Sequence, residues 1–148
     1  MRIALASDHA GFALKDELAG WLGELGHEVA DLGTNGPDSV DYPRFGSRLA
    51  EEIASGRAER GVAVCGSGIG ISIAVNRNPA CRCARVDDPL SAALAREHND
   101  ANVVALGARL IGSDMARAIV LAFLDTAFAG GRHGRRVDLL SPQLQDSD

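Results

Sequence analysis

The chain predicts an α/β fold of three layers, a five-stranded parallel sheet covered by helices on both faces. Three observations predict it. Short apolar runs alternate five times with apolar sets at helical spacing, the pattern of strand–helix units joined by right-handed crossovers. The run Gly61-Val62-Ala63-Val64 passes through Cys65-Gly66-Ser67-Gly68-Ile69-Gly70 into Ile71-Ser72-Ile73-Ala74-Val75, a buried strand feeding a buried helix across a glycine-rich turn. Aromatic residues make up only 4% of a chain that is 46% apolar, so the core is built from Ala, Val, Leu and Ile in closely packed elements.

Taken in order, Arg2 to Ala6 reads as the first strand and ends at Ser7-Asp8-His9. Leu14, Leu18, Trp21, Leu22 and Leu25 then follow helical spacing, with Gly26 closing that helix. Glu28 to Leu32 is the second strand, and Gly33 to Ser39 is a loop rich in turn formers. Asp41-Tyr42-Pro43 opens a helix with proline in its first turn, running through Leu49 and Ile53 to about Gly56. Beyond the glycine loop, Cys81 to Val86 reads as the fourth strand, and Asp88-Pro89 caps a helix reaching about His98. Val103 to Leu106 is the fifth strand, and Ser113 caps a last long helix. On a helical wheel Met115, Ile119 and Phe123 fall on one face and Leu121, Leu124 and Phe128 on nearly the opposite one. A second apolar stripe points to a C-terminal interface helix between subunits, the alternative being a helix deep in its own core. Residues 141–148 are polar and expected to fray.

The whole of residues 1–148 is expected to form one domain, long enough to bury about two thirds of its unfolded surface. A net charge of −5 argues against a general nucleic-acid or membrane-surface role, while leaving room for a local basic pocket. Three cysteines, with Cys81 and Cys83 at a spacing that suits neither a redox nor a zinc pair, imply a reduced, cytoplasmic protein. The longest apolar run, Ala118 to Leu124, is far short of the ~20 residues that span a bilayer.

The expected architecture is Rossmann-like, of the flavodoxin type, with strand order 2-1-3-4-5. Ligands of such folds gather at the carboxyl ends of strands where the order reverses, which sets Asp8 and His9 beside Cys65. Cys65 there faces a helix amino terminus, whose free N–H groups and dipole favour negative charge, a thiolate included. The glycine loop is neither a dinucleotide fingerprint nor a Walker loop, and taken alone it also suits a tight turn with an inert cysteine. A cysteine phosphatase would want an arginine where Ile71 stands. His9 and His98, each taken alone, also suit capping or surface positions, and no metal-ligand spacing occurs. Gly130-Gly131-Arg132-His133-Gly134-Arg135-Arg136 suits either an anion cradle or a solvated basic segment.

Five stretches in register nonetheless resemble one family. Ser7-Asp8-His9-Ala10-Gly11-Phe12, Asp41-Tyr42-Pro43, Cys65 to Gly70, His98-Asn99-Asp100-x-Asn102 and Gly130-Gly131-Arg132-His133-x-x-Arg136 resemble the ribose-5-phosphate isomerase B family, which includes galactose-6-phosphate and allose-6-phosphate isomerases. The resemblance runs from residue 1 to about Leu140. It implies that Cys65 is the base moving a proton between C2 and C1 of an open-chain aldose phosphate, with Ser67, threonine in many members, serving the substrate oxygens. It implies that His98 is the acid that opens the furanose ring, a role some members give to the histidine matching His9. Asp8 and Asn99 are implied to bind sugar hydroxyls, and Arg109, Arg132 and Arg136 the phosphate, with His133 assisting. Tyr42, Gly66, Gly68, Ile69 and Gly70 are implied to line the substrate. No carboxylate follows Cys65 between Ile69 and Val75, which resembles the branch that uses cysteine. No cofactor or metal is required.

The implied reaction interconverts ribose 5-phosphate and ribulose 5-phosphate. A six-carbon sugar phosphate is the next candidate, then an unphosphorylated pentose, with a non-catalytic sugar-phosphate or nucleotide-binding module as the competing class. His98 and Asn99 precede the fifth strand and so sit at the opposite sheet edge from Cys65. A homodimer with shared sites, dimers pairing into tetramers or not, would reconcile the two.

Overall fold

The computed structural model describes residues 1–141. Five strands and six helices follow one another as β1 (Arg2–Ser7), α1 (Phe12–Glu24), β2 (Glu28–Asp31), α2 (Tyr42–Ala54), β3 (Arg60–Cys65), α3 (Ile69–Asn76), β4 (Cys83–Arg85), α4 (Pro89–Asn99), β5 (Val103–Gly107), α5 (Ser113–Asp125) and α6 (Arg132–Asp138). All strand pairings are parallel. The frayed tail expected over 141–148 falls, from residue 142 on, outside the described residues.

The strand order is β2-β1-β3-β5-β4 rather than the expected 2-1-3-4-5. The physical reason lies in the two strands that exchange places. All of β5 is buried, with Val103, Val104, Ala105 and Leu106 wholly so, and such a strand belongs inside a sheet covered on both faces. Three-residue β4, half-buried, preceded by Arg82 and ending in Arg85, suits the edge, where short, charged strands resist further pairing. The exchange sets Gly107 directly beside Cys65.

Side-chain alternation divides the core between the two faces. Ile3, Leu5, Val62, Val64, Val104 and Leu106 meet α1, α4 and α5, where Leu18, Ala92, Ile119 and Phe123 are buried. Ala4, Ala6, Ala63, Cys65 and Ala105 face α2 and α3, with Phe45, Leu49, Ile71 and Val75. Small residues on that second face let the helices lie close. A methyl group on Gly46 would meet the Ala74 Cβ at 2.7 Å.

Helix ends follow their expected chemistry in part. Asp88 caps α4 by accepting from the Ser91 N–H at 2.7 Å, and Pro43 stands in the first turn of α2. In α5, Gly112 is the cap, and Ser113 instead donates its hydroxyl to Glu17 of α1 at 2.7 Å. The two expected apolar stripes of this helix take another form. Ala116, Ile119, Val120 and Phe123 are buried, Met115 and Leu121 are exposed, and Phe128 lies beyond the helix end at Asp125. Helices α3 and α4 also expose apolar side chains, Ile69 and Ile73 on the one and Leu90 and Leu94 on the other.

Candidate active site

Cys65 ends β3 with its side chain on the α2/α3 face and 4% exposed. The chain then turns sharply into α3. Gly68 has φ of +75°, and a Cβ there would stand 2.8 Å from the Leu106 carbonyl carbon, so only glycine suits the position. The turn aims two amide donors at side chains: Gly68 N–H donates to Cys65 Sγ at 3.2 Å, and Ile69 N–H to Ser67 Oγ at 3.2 Å. Behind the turn the Ser67 carbonyl accepts from Arg85 Nε at 3.0 Å, and Gly107 lacks the Cβ that would stand 2.7 Å from that carbonyl.

A cleft of about 370 Å³ opens over Cys65, lined from four directions. Asp8 and His9 come from the loop after β1, Tyr42 from the start of α2, Ser67 and Gly70 from the glycine turn, and Arg109 from the loop after β5. Asp8 is buried, and its Oδ1 accepts from the Ala10 and Gly11 N–H groups at 3.0 and 3.1 Å, closing the turn that starts α1. Gly11 presses on the Val64 carbonyl, leaving no room for a side chain, so this loop rests directly on β3. His9 Nδ1 accepts from Val40 N–H at 3.2 Å, which leaves Nε2 as the proton-bearing nitrogen of the neutral ring. The Tyr42 ring covers Gly70, whose Cβ would stand 2.7 Å from Tyr42 Cζ. The Arg109 guanidinium lies against Gly66 and has no carboxylate partner among the described residues.

His98, Asn99, Arg132, His133 and Arg136 do not line this cleft. His98 and Asn99 end α4, at the amino edge of the sheet. The His98 and His133 rings stack there, centroids 4.4 Å apart and 13° from parallel. Burial, the His98 ring, Arg132 and Arg136 together hold His133 below the usual imidazole range, against a smaller opposing pull from Glu97. Asn99 faces a separate cavity beside Cys81, Cys83 and Leu140. Asp100 and Asn102 brace this edge: Asp100, at φ of +45°, pairs with Arg96 at 2.8 Å and Arg82 at 3.1 Å, while Asn102 joins Ala80 and Arg82. Gly68 and Ile69 form the turn and the first residue of α3 without lining the cleft itself. Among the described residues no group of three or more His, Cys, Asp or Glu could hold a metal.

Residues 3–140 match the family described as Ribose/Galactose Isomerase. The chain belongs to the ribose/galactose isomerase family. Ribose-5-phosphate isomerase B of Escherichia coli (strain K12) is 43% identical over 95% of this chain and 94% of its own. A ribose-5-phosphate isomerase B structure from Clostridium thermocellum superposes with a TM-score of 0.94 at 48% identity, covering 95% of each chain. One from Mycoplasma genitalium, with bound ribulose-5-phosphate, superposes at 0.90 with 37% identity, over 94% of this chain and 93% of that one.

Three residues with no role expected from the sequence are added by the structure. Ala10 and Leu110 complete the cleft wall, and Arg85 supports the glycine turn from behind. Arg85 carries a signal in the chain nonetheless: it is a cation at the carboxyl end of a strand, on the edge where the site lies.

Proposed function

We propose that the protein interconverts D-ribose 5-phosphate and D-ribulose 5-phosphate, with Cys65 carrying the proton. The observation that supports this most directly is the Cys65 sulfur, hydrogen-bonded by the Gly68 N–H at the floor of a cleft that also holds a hydroxyl, an imidazole and a guanidinium without a carboxylate partner among the described residues. In the open-chain aldose, Cys65 as thiolate takes the C2 proton, and the electron pair moves to the C1 oxygen to give an enediolate. The same proton returns to C1 while the O2 proton passes to O1, leaving the C2 ketone. Ser67 and the N–H groups of the turn hold the oxygens as charge develops on them. Asp8, with one oxygen engaged by the backbone, offers its other to sugar hydroxyls, and Arg109 offers a charged fork to the substrate.

His98, the proposed ring-opening acid, and Arg132, His133 and Arg136, proposed for the phosphate, stand at the other sheet edge. The reading is therefore completed by a homodimer in which each cleft receives this second set from the partner subunit. Its place would be the cytoplasm, in keeping with three free thiols, and no described helix is long and apolar enough to cross a membrane.

The test is isomerisation of ribose 5-phosphate in EDTA by wild type and Cys65→Ala, with allose 6-phosphate as second substrate. The expected result is turnover that prefers the pentose and falls roughly 10²- to 10⁴-fold in Cys65→Ala, the range for a positioned acid–base group. Preference for the hexose would move the substrate to six carbons. Binding of both sugars without turnover by folded, reduced protein would favour the non-catalytic module.

A further inference from the structure

We infer that Arg85 is a positioning residue for the Cys65 sulfur, acting through the single peptide group between Ser67 and Gly68. The inference rests, for its catalytic half, on the function proposed above. Arg85 Nε donates to the Ser67 carbonyl at 3.0 Å, and the Gly68 N–H donates to Cys65 Sγ at 3.2 Å. That carbonyl and that N–H are the two ends of one peptide. The peptide is trans, so they point in opposite directions and turn together as a rigid plate. Holding the oxygen toward β4 holds the N–H on the sulfur.

The plate is otherwise held by packing: a Cβ on Gly68 would stand 2.8 Å from the Leu106 carbonyl carbon and one on Gly107 2.7 Å from the Ser67 carbonyl, so the backbone of β5 lies against it, while Arg85 supplies a directed bond to its oxygen. Arg85 is itself fixed: its Nη1 pairs with Asp87, leaving Nε for the carbonyl, and its side chain is only 26% exposed. A cationic donor on the carbonyl also polarises the peptide and strengthens its N–H as a donor, since hydrogen bonds in series reinforce one another. The titratable groups around Cys65 come from every side of the cleft: Asp8 and His9 after β1, Tyr42 on α2, and Arg109 after β5. Helix α3 contributes none, and Arg85 with Asp87 lies behind the turn. Arg85 alone among these charged groups bonds to the peptide that carries the sulfur's donor.

The experiment measures alkylation of Cys65 by iodoacetamide at fixed pH, followed by mass spectrometry of its peptide, in wild type, Arg85→Lys, Arg85→Gln and Arg85→Leu. Cys81 and Cys83 are separable in this assay, since burial pushes both thiols up, Cys81 to about 11. Arg85→Leu is expected to slow Cys65 alkylation by about three- to tenfold, part of what a hydrogen bond to a charged group contributes. Arg85→Gln, a neutral donor, should fall between, and Arg85→Lys should stay close to wild type. For ribose 5-phosphate, kcat should fall in the same order with KM within about twofold. Wild-type alkylation in folded Arg85→Leu would overturn the inference, as would Gln and Leu variants that react alike. If Arg85→Leu does not fold, the Gln and Lys variants decide it. Because alkylation needs no substrate, an ordered alkylation series with no turnover by wild type would sink the isomerase assignment and leave Arg85's hold on the sulfur standing.

Discussion

Gly70 and Gly11 both lack a side chain because something already occupies the space, yet their occupants differ in kind. A methyl group on Gly70 would meet Tyr42 Cζ at 2.7 Å, the far end of a ring that is 41% exposed and free to swing outward. A methyl group on Gly11 would meet the Val64 carbonyl oxygen at 2.5 Å, which moves only if β3 or the β1–α1 loop moves. Gly70→Ala should therefore leave stability within about 1 kcal/mol, helped by alanine's better helix propensity, while displacing Tyr42 from the cleft and raising KM several-fold. Gly11→Ala should destabilise by roughly 1–3 kcal/mol as an overpacked backbone contact and lower kcat as well, because Asp8 and His9 ride on the same loop. Thermal melts read beside steady-state kinetics separate the two. Equal losses of stability in both variants would show that Tyr42 is held as firmly as backbone.

Between elements, the most consequential polar contact joins α1 to β2. Lys15 is wholly buried, with Nζ 2.7 and 2.8 Å from the two Asp31 oxygens and 2.8 Å from Asp16. Asp31 also accepts from Gly33 N–H, and Gly33 and Thr34 bond to the Ser7 backbone, so this pair secures the loop that reaches His9 through Val40. Asp31→Ala strands a buried ammonium with only Asp16 beside it and should cost roughly 2–3 kcal/mol, below the full penalty for breaking a buried pair because Asp31 is partly solvated. Lys15→Met, which removes the charge and keeps the volume, should cost less. Urea midpoints of the two variants check the order, and a Lys15→Met protein weaker than Asp31→Ala would refute it. The alternation of strands and helices, the glycine turn and the Asp88 cap were legible in the sequence because each rests on a local pattern. The positions of β4 and β5 were not, since lateral order depends on how much of each strand the assembled sheet must cover. The end of α5 was equally hidden: no glycine or proline stops it before Gly130, and the Thr126 hydroxyl turned back onto the Ala122 carbonyl lies at its close.

Over the whole chain the family's motif residues divide into two groups at opposite sheet edges, Asp8, His9, Tyr42, Cys65, Ser67 and Arg109 around one cleft, His98, His133, Arg132 and Arg136 around another helix end. Strand direction made this division legible beforehand, for a residue just before a parallel strand cannot share an edge with one just after its neighbour. On the proposed function, a proton-transfer site without its ring-opening acid or its full anion contact would be half a site, and one chain cannot fold the halves together without undoing the sheet. The β4 edge is short, and α3 and α4 beside it expose Ile73 and Leu90 at 59% and 69%, an apolar surface suited to a second copy. If two-fold pairing brings each His98 to the partner's cleft, Cys65→Ala and His98→Ala subunits should each be nearly inactive and should complement when mixed. Random exchange of equal amounts makes about half of all dimers mixed, and each mixed dimer holds one intact site and one doubly broken site, giving about a quarter of wild-type activity. The measurement is turnover after subunit exchange verified by native mass spectrometry. Mixed dimers with no recovered activity would mean that each chain uses its own His98, or none.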